Sequence, residues 1–189
     1  MSKLFRTTLW ILSAIGLIAF FFQTLSTFLI SPLMGLLSLL IAAILVALVI
    51  YLLQRSPMWA RPARLWATLA FLWGGGVAVA LALISAGPVM QLAIGSGWVD
   101  AMMSWSGAYP EEISKATGVI FVLMSFRQLN RPWHGWMVGA VVGLGFEACE
   151  NILYGAMGAT MHPDSDIQGL FEMWGLRLIA GPGLHVLLT

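Results

Sequence analysis

Charged side chains are scarce in this chain of 189 residues. Only 9% of the residues are Asp, Glu, Lys or Arg, whereas 60% are apolar and the mean hydropathy is +0.91. An ordinary soluble domain has roughly 25% charged and 45–50% apolar residues. So few charges cannot cover an apolar core with a polar surface, which excludes a water-soluble fold. We therefore predict an integral membrane protein.

Cysteine is nearly absent too. Cys149 is the single cysteine, so an internal disulfide is excluded and cysteine pairing carries no information about the redox compartment. The chain also lacks an H-E-x-x-H zinc motif, a phosphate-binding loop and a nucleophile elbow. Basic residues are too few for a nucleic-acid-binding surface, so no nucleic acid is expected as a partner.

A long uncharged run fills the N-terminal region. No residue from Thr7 to Gln54 is charged, and these 48 residues are about twice the roughly 20 that one helical span needs. Ser31-Pro32 divides the run, because proline cannot continue a helix and restrains the residue before it. The pattern predicts two spans, of which the first is too long for the apolar region of a signal peptide.

The apolar runs together predict an all-α, polytopic transmembrane helix bundle of about six spans. Residues 1–189 form a single transmembrane domain, in which 1–107 supply three anchoring spans and a loop, and 108–189 supply the remaining spans. The segment Gly95–Tyr109 is predicted to be a loop or an interfacial segment. The predicted spans are 9–29, 33–53, 65–87, 110–126, 133–158 and a sixth from about Glu172 to Thr189.

Basic residues predict the orientation of the bundle, because short cytoplasmic loops carry an excess of Lys and Arg. With the N-terminus in the cytoplasm, Asp100, Asp164 and Asp166 fall on the outer side. We predict a multi-pass protein of the cell membrane with this orientation. It places seven of the nine basic residues on the cytoplasmic side: Lys3, Arg6, Arg55, Arg61, Arg64, Arg127 and Arg131.

All eight acidic residues follow position 99, and several lie within predicted spans. An ionisable group at bilayer depth costs roughly 2.5–3.5 kcal/mol, so each needs a partner, a wet cavity or a function. Span four begins with Glu111, Glu112 and Lys115, and Lys115 is within helical reach of both acids. One carboxylate can pair with the ammonium, while the other lies about 100° further round the helix.

Span five carries a second group of polar residues. Gly139, Gly143, Phe146 and Glu150 share one narrow helical face, and glycines at that spacing let another helix approach closely. Glu150 is therefore predicted to point into a helix interface. Glu147 is predicted to be a bystander, paired with an arginine (Arg131 or Arg177) or a lipid headgroup, and the glycine run 135–145 to serve packing.

Span six carries Arg177 and His185, with Gly181-Pro182-Gly183 loosening the helix between them. His134 and His162 lie at opposite interfaces and are predicted to be solvated. A rise of 1.5 Å per residue puts Glu150 about 24 Å above the inner face and His185 about 18–20 Å below the outer face. Their depths are close enough for one cavity, which the first turns of span four also reach.

Carboxylates and an imidazole in one cavity suit amide hydrolysis. A carboxylate can take a proton from water while the histidine stabilises the developing oxyanion. The same groups can bind a divalent metal such as zinc, and residue spacing does not distinguish the two uses. The alternative function is a non-catalytic membrane protein that binds a partner helix, or a proton-coupled transporter, and E-E-x-x-K alone can also be an ordinary helix start.

Three stretches resemble the motifs of one family. They are A-Y-P-E-E-I-S-K at 108–115, G-A-V-V-G-L-G-F-E-A-C-E-N-I-L-Y at 139–154 and R-L-I-A-G-P-G-L-H-V-L-L-T at 177–189. In order, they resemble the E-E-x-x-K, F-x-x-x-E-N and histidine motifs of PrsW-type intramembrane proteases, which look related to the CAAX prenyl endopeptidases. The likeness covers 108–189, and spans one to three match only as generic hydrophobic helices.

The resemblance implies an intramembrane endopeptidase that cuts a membrane-embedded or membrane-tethered protein or peptide within the lipid bilayer. It makes Glu111 and Glu112 the paired acids, Glu150 the second-helix carboxylate and His185 the histidine. Relatives are described both as metalloproteases and as metal-free glutamate-type enzymes. The cofactor is therefore either none or a divalent metal bound by Glu112, Glu150 and His185. The residues expected to support the site are Lys115, Phe146, Asn151 and Arg177.

Two features depart from the family pattern. His134-Gly135 stands where relatives often have Asp-Gly, which affects a peripheral contact. Relatives usually continue through further helices after the position of Thr189. We therefore expect the natural chain to be longer at its C-terminal end.

Overall fold

The computed structural model describes residues 3–180, and this part of the chain is helical with no strand. That confirms the predicted all-α class. The helices are α1 (Lys3–Ile30), α2 (Pro32–Arg55), α3 (Arg64–Leu72), a π-helical segment (Trp73–Ala78), α4 (Val79–Gly95), a short 3-10 helix (Val99–Ala101), α5 (Met102–Ser106), α6 (Ala108–Ser125), α7 (Trp133–Met161) and α8 (Asp166–Ala180).

Within residues 3–180, four helical stretches are long and apolar enough to cross a membrane. They are α1, α2, the continuous rod Arg64–Gly95 and α7. Helix α6 has 18 residues but three charges near its start, and α8 has 15 described residues. Both pack against α7 beside the other four stretches. The result is a polytopic bundle of about six spans, as predicted.

The first predicted helix boundary is confirmed, and the ends of the third and sixth spans are corrected. Helix α1 ends at Ile30, and Ser31 has an extended backbone before Pro32 starts α2. The third span does not end at residue 87, because α4 continues through Pro88 to Gly95. In lipid, an apolar helix gains more from keeping its other backbone hydrogen bonds than it loses at one proline.

The sixth helix also begins earlier than predicted. Helix α8 starts at Asp166 rather than near Glu172. The Ser165 hydroxyl accepts a hydrogen bond of 3.4 Å from the Gln168 backbone N–H, and Asp166 lies in the first turn, where the helix dipole favours an acid. Polar residues at 165–168, predicted to be loop, therefore form the first turn of the helix.

Helix α7 is the centre of the bundle. Within its apolar stretch 83% of the residues are buried, against 17% in α1 and 11% in α2. It contacts α1, α2, α3, the π-helical segment, α6 and α8. A helix that is covered on all sides has no lipid-facing stripe, so its polar residues face other helices rather than acyl chains.

Glycines allow the backbones of the central helices to touch. A Cβ placed on Gly74 would collide with the Val142 carbonyl, and one on Gly76 would collide with the backbone of Gly16. On α7, a Cβ on Gly145 would collide with the Phe71 carbonyl. The π-helical segment is therefore wedged between α1 and α7, and the prediction that the glycine run of α7 serves packing is confirmed at Gly145.

The Gly74 contact makes a stability prediction. Gly74→Ala should lower the free energy of unfolding by about 1–3 kcal/mol, because the methyl group must displace backbone rather than a flexible side chain. Gly87→Ala is the matched control, since a Cβ on this helical glycine meets nothing within 4 Å. Thermal unfolding of both variants in the same detergent tests the difference, and equal melting temperatures would contradict the close packing of Gly74 against Val142.

Candidate functional site

Lys115 links α6 to the central helix. Its ammonium donates a hydrogen bond of 2.5 Å to Glu112 Oε1 and lies 4.7 Å from the centroid of the Phe146 ring on α7. Lys115 is fully buried, whereas the Glu112 side chain remains 41% exposed. The pairing predicted within E-E-x-x-K thus occurs at the i+3 spacing, and it faces α7.

A tryptophan holds α6 in this position. The Trp73 indole N–H donates a hydrogen bond of 3.0 Å to the carbonyl of Ser114, the residue before Lys115. A Cβ on Gly118 would collide with the same indole ring, so α6 approaches Trp73 at a residue without a side chain. Both contacts set the height and rotation of α6 against the π-helical segment.

Arg177 makes the corresponding link between α8 and α7. Its Nη2 donates a hydrogen bond of 2.9 Å to Glu150 Oε2, and its Nε donates one of 2.6 Å to Asn151 Oδ1. The guanidinium also lies 4.7 Å from the centroid of the Tyr154 ring. One arginine therefore fixes a carboxylate, an amide and an aromatic ring of a single helix.

The two groups lie along one side of α7. Phe146, which contacts Lys115, is one turn before Glu150, which contacts Arg177, so the two side chains are neighbours on the helix. Glu111 lies in the first turn of α6, next to Glu112 in the chain. The described helices thus place two linked groups along α7. Glu112 and Lys115 of α6 lie beside Phe146, and Arg177 of α8 lies beside Glu150 and Asn151.

Cations accompany the carboxylates at both ends of this site. Charges removed from water lose several kcal/mol of solvation each, and only a close partner of opposite charge compensates. Lys115 and Arg177 provide that compensation for Glu112 and Glu150. The Glu150 side chain is 17% exposed, much less than that of Glu112, so the two acids differ in their access to water.

Asn151 has a buried hydrogen-bond donor left over. Its Oδ1 accepts from Arg177, but its amide Nδ2 has no hydrogen-bond partner within the described part of the chain. Such an orphan costs about 1–3 kcal/mol and calls for an explanation. An amide N–H beside a carboxylate is suited to donate a hydrogen bond to an oxygen atom.

Three residues of the surroundings were missed from the sequence. The Ser38 hydroxyl on α2 donates to the Asn151 carbonyl at 3.1 Å and accepts from the Trp174 indole N–H of α8 at 2.9 Å. No sequence pattern links Ser38 to α7. Tyr154 was within reach of sequence reasoning, because it follows Glu150 by four residues and so shares its helical face.

Predictions about three other residues need correction. His134 is buried rather than solvated, and its Nδ1 accepts the Arg131 backbone N–H at 3.1 Å. The His162 side chain is mostly buried, with Nδ1 accepting the backbone N–H groups of residues 164 and 165. Glu147 is buried within the bundle, so a lipid headgroup cannot be its partner. The hydropathy pattern does not reveal local hydrogen bonds between a histidine side chain and the backbone.

Two of the three predicted metal ligands, Glu112 and Glu150, lie among the described residues. Among residues 3–180, no three His, Cys, Asp or Glu side chains form a group able to hold a metal ion. Glu112 and Glu150 each face a cation, which would repel a metal bound at the same oxygens. His185, the predicted third ligand and catalytic histidine, lies outside the described residues. The described side chains therefore do not fit a metal site by themselves.

The Glu150–Arg177 pair makes a second stability prediction. Arg177→Gln should lower the free energy of unfolding by about 1–3 kcal/mol, because it leaves the carboxylate without its charged donor. A double-mutant cycle with Glu150→Gln in detergent should give a coupling free energy of about 0.5–3 kcal/mol. Glu172→Gln is the control, since this side chain is 60% exposed and should change stability by less than about 0.5 kcal/mol. Additive effects of Arg177→Gln and Glu150→Gln would contradict the pairing.

Comparison with known proteins agrees with the motifs. The family model described as PrsW family intramembrane metalloprotease matches residues 62–189, which are 128 of the 189 residues. The match starts before α3, so the expectation that the third span is only generic was wrong. No curated protein and no solved structure matches the chain. With two thirds of its length matched and the acidic motifs of that family assembled on α6 and α7, this chain belongs to the PrsW family of intramembrane metalloproteases.

Proposed function

We propose that this protein hydrolyses a peptide bond in a membrane-embedded or membrane-tethered protein, with Glu112 or Glu150 activating water and His185 assisting. Family membership supports a peptidase that works in the membrane. The observation that supports this proposal is that Lys115, which holds Glu112 of α6, contacts Phe146 of α7. Phe146 lies one helical turn before Glu150, which Arg177 holds. The substrate is a membrane protein or peptide that reaches this side of α7.

Peptide hydrolysis needs a base for water, a donor for the carbonyl oxygen and a proton for the departing amine. Of the two acids, Glu112 has the greater access to solvent, so it is the better placed to take the proton from water. Its proton can then pass to the amine nitrogen as the C–N bond breaks. We propose that His185 assists by stabilising the developing charge.

The neighbouring residues act as positioning groups in this proposal. Lys115 orients Glu112, and Arg177 orients both Glu150 and Asn151. With Oδ1 of Asn151 tied to Arg177, its Nδ2 has the direction of a fixed donor. A preorganised amide donor aimed at the carbonyl oxygen strengthens as that oxygen becomes negative, which lowers the barrier to water attack.

Carboxylate substitutions test the assignment. Glu112→Gln or Glu150→Gln should reduce the rate of cleavage by about 10²–10⁴-fold, because the amide that replaces the activating carboxylate cannot accept a proton from water. Membranes from cells producing each full-length variant are compared by labelling newly formed N-termini of membrane proteins and counting them by mass spectrometry over time. Cleavage that stays at the unmodified rate in both variants would contradict the proposal and leave binding of a partner helix or proton-coupled transport as the remaining functions.

Glu172→Gln is the matched control for these variants. It removes one carboxyl group from α8, but its side chain is 60% exposed and contacts Gln168 and His162 rather than α7. Its cleavage rate should equal that of the unmodified protein. All three variants must be present in the membrane in equal amounts, measured by immunoblotting, so that a loss of activity is distinguished from a loss of folded protein.

Removal of divalent metal tests whether the carboxylates work alone. The cations beside Glu112 and Glu150 support water activation by a carboxylate without a metal. We therefore expect the cleavage rate of the purified protein in liposomes to change less than twofold after treatment with a chelator. A complete loss that zinc restores would contradict this form of the mechanism and assign the protein to the metal-dependent type that the family's description names.

A further inference from the structure

A second charged feature lies far from the candidate site. A cavity of about 1270 Å³ opens between the start of α1, the segment joining α2 to α3 and the end of α6. Ser125 lines it, whereas Glu112 lies 13 residues earlier on the same helix, about 20 Å away at 1.5 Å per residue. Its lining includes five cationic and no acidic residues: Lys3, Arg6, Arg61, Arg64 and Arg127.

These five cations are not neutralised by the described part of the protein. The three ion pairs found among residues 3–180 involve none of them. Five like charges around one cavity repel each other and create a positive potential that attracts an anion. The usual excess of basic residues on one side of a membrane protein explains why these five residues lie on the same side of the membrane. It does not explain why three separate chain segments bring them to one cavity.

The two other basic residues predicted for this side behave differently. Arg55 donates a hydrogen bond of 2.6 Å to the Tyr51 hydroxyl and lies 4.7 Å from the centroid of that ring. Arg131 lies 5.9 Å from the centroid of the Trp133 ring. Both are exposed and neither lines the cavity. They make an internal control with the same charge on the same side.

Part of the lining of the cavity is apolar. Trp59 and Phe126 are buried residues of this lining, and Leu65 adds further apolar surface. The wall is tied together by a hydrogen bond of 3.3 Å from Gln128 Nε2 to the Pro62 carbonyl. The volume exceeds the roughly 300–1,000 Å³ of ordinary small-molecule pockets. A lining that combines cations with apolar surface matches a phosphate group that carries glycerol and acyl chains, rather than a free phosphate ion.

We propose that this cavity binds the headgroup of an anionic phospholipid. Arginines bind phosphate through paired, charge-assisted hydrogen bonds, and basic pockets between transmembrane helices bind such headgroups on the cytoplasmic side. The acyl chains would continue along the apolar surface at the membrane interface. A bound headgroup joins α1, α3 and the connection from α6 to α7, so it holds together the ends of helices that position the candidate site.

Lipid binding by the full-length protein tests this proposal. Nanodiscs of phosphatidylcholine with or without phosphatidylglycerol are compared for the unmodified protein, Arg61→Gln/Arg127→Gln and Arg55→Gln/Arg131→Gln. Each pair of substitutions removes two cations from the same side. We expect phosphatidylglycerol to raise the melting temperature of the unmodified protein and of the Arg55/Arg131 variant. The Arg61/Arg127 variant should need at least about tenfold more of this lipid for the same rise.

Three outcomes would overturn the proposal. If both variants lose the rise in melting temperature equally, the charged surface attracts the lipid without a specific site. No rise in melting temperature with phosphatidylglycerol in any form would mean that no headgroup binds. Inorganic phosphate that abolishes the lipid effect at equal concentration would mean a site for a free anion. If Arg61→Gln/Arg127→Gln melts early in phosphatidylcholine alone, Lys3→Gln/Arg6→Gln, at the exposed start of α1, replaces it under the same criteria.

Discussion

Direct contact between helix backbones is the constraint on which this structure depends. Lipid offers apolar side chains the same surroundings as a helix interface does, so close packing must replace the hydrophobic effect as the force that joins helices. Gly74, Gly76 and Gly145 provide that packing, because each lies where any side chain would meet the backbone of a neighbouring helix. The π-helical segment Trp73–Ala78 is thereby held between α1 and α7, and its first residue, Trp73, in turn holds α6.

The polar site follows from the central position of α7. A helix that is surrounded by protein can carry acids at membrane depth, provided that neighbouring helices supply cations. Lys115 arrives from α6 and Arg177 from α8, and they meet Phe146, Glu150 and Asn151 on one side of α7. Ser38 and Trp174 complete the attachment of α7 to α2 and α8. The chemistry of the site and the stability of the bundle therefore rest on the same contacts.

The two ends of the bundle have opposite electrostatic character. The candidate site contains carboxylates whose cations are already paired, whereas the cavity beyond Ser125 contains cations without a carboxylate among the described residues. Helix α6 runs from one region to the other. A lipid that binds the basic end therefore acts on the same helix that carries Glu112. Through this helix, the proposed lipid binding connects the composition of the membrane to the candidate site.

The sequence alone determined that the chain lies in lipid, that its helices break at Ser31-Pro32, and that acids on α6 and α7 need partners, because hydropathy, proline geometry and the cost of burying charge are local properties. Only the tertiary structure decided that Arg177 pairs with Glu150, that His134 is buried and that α4 continues past Pro88. Those outcomes depend on which helices become neighbours. Neighbours are chosen by contacts such as Gly74 with Val142 and Ser38 with Asn151, between residues far apart in the chain, and no local pattern records them.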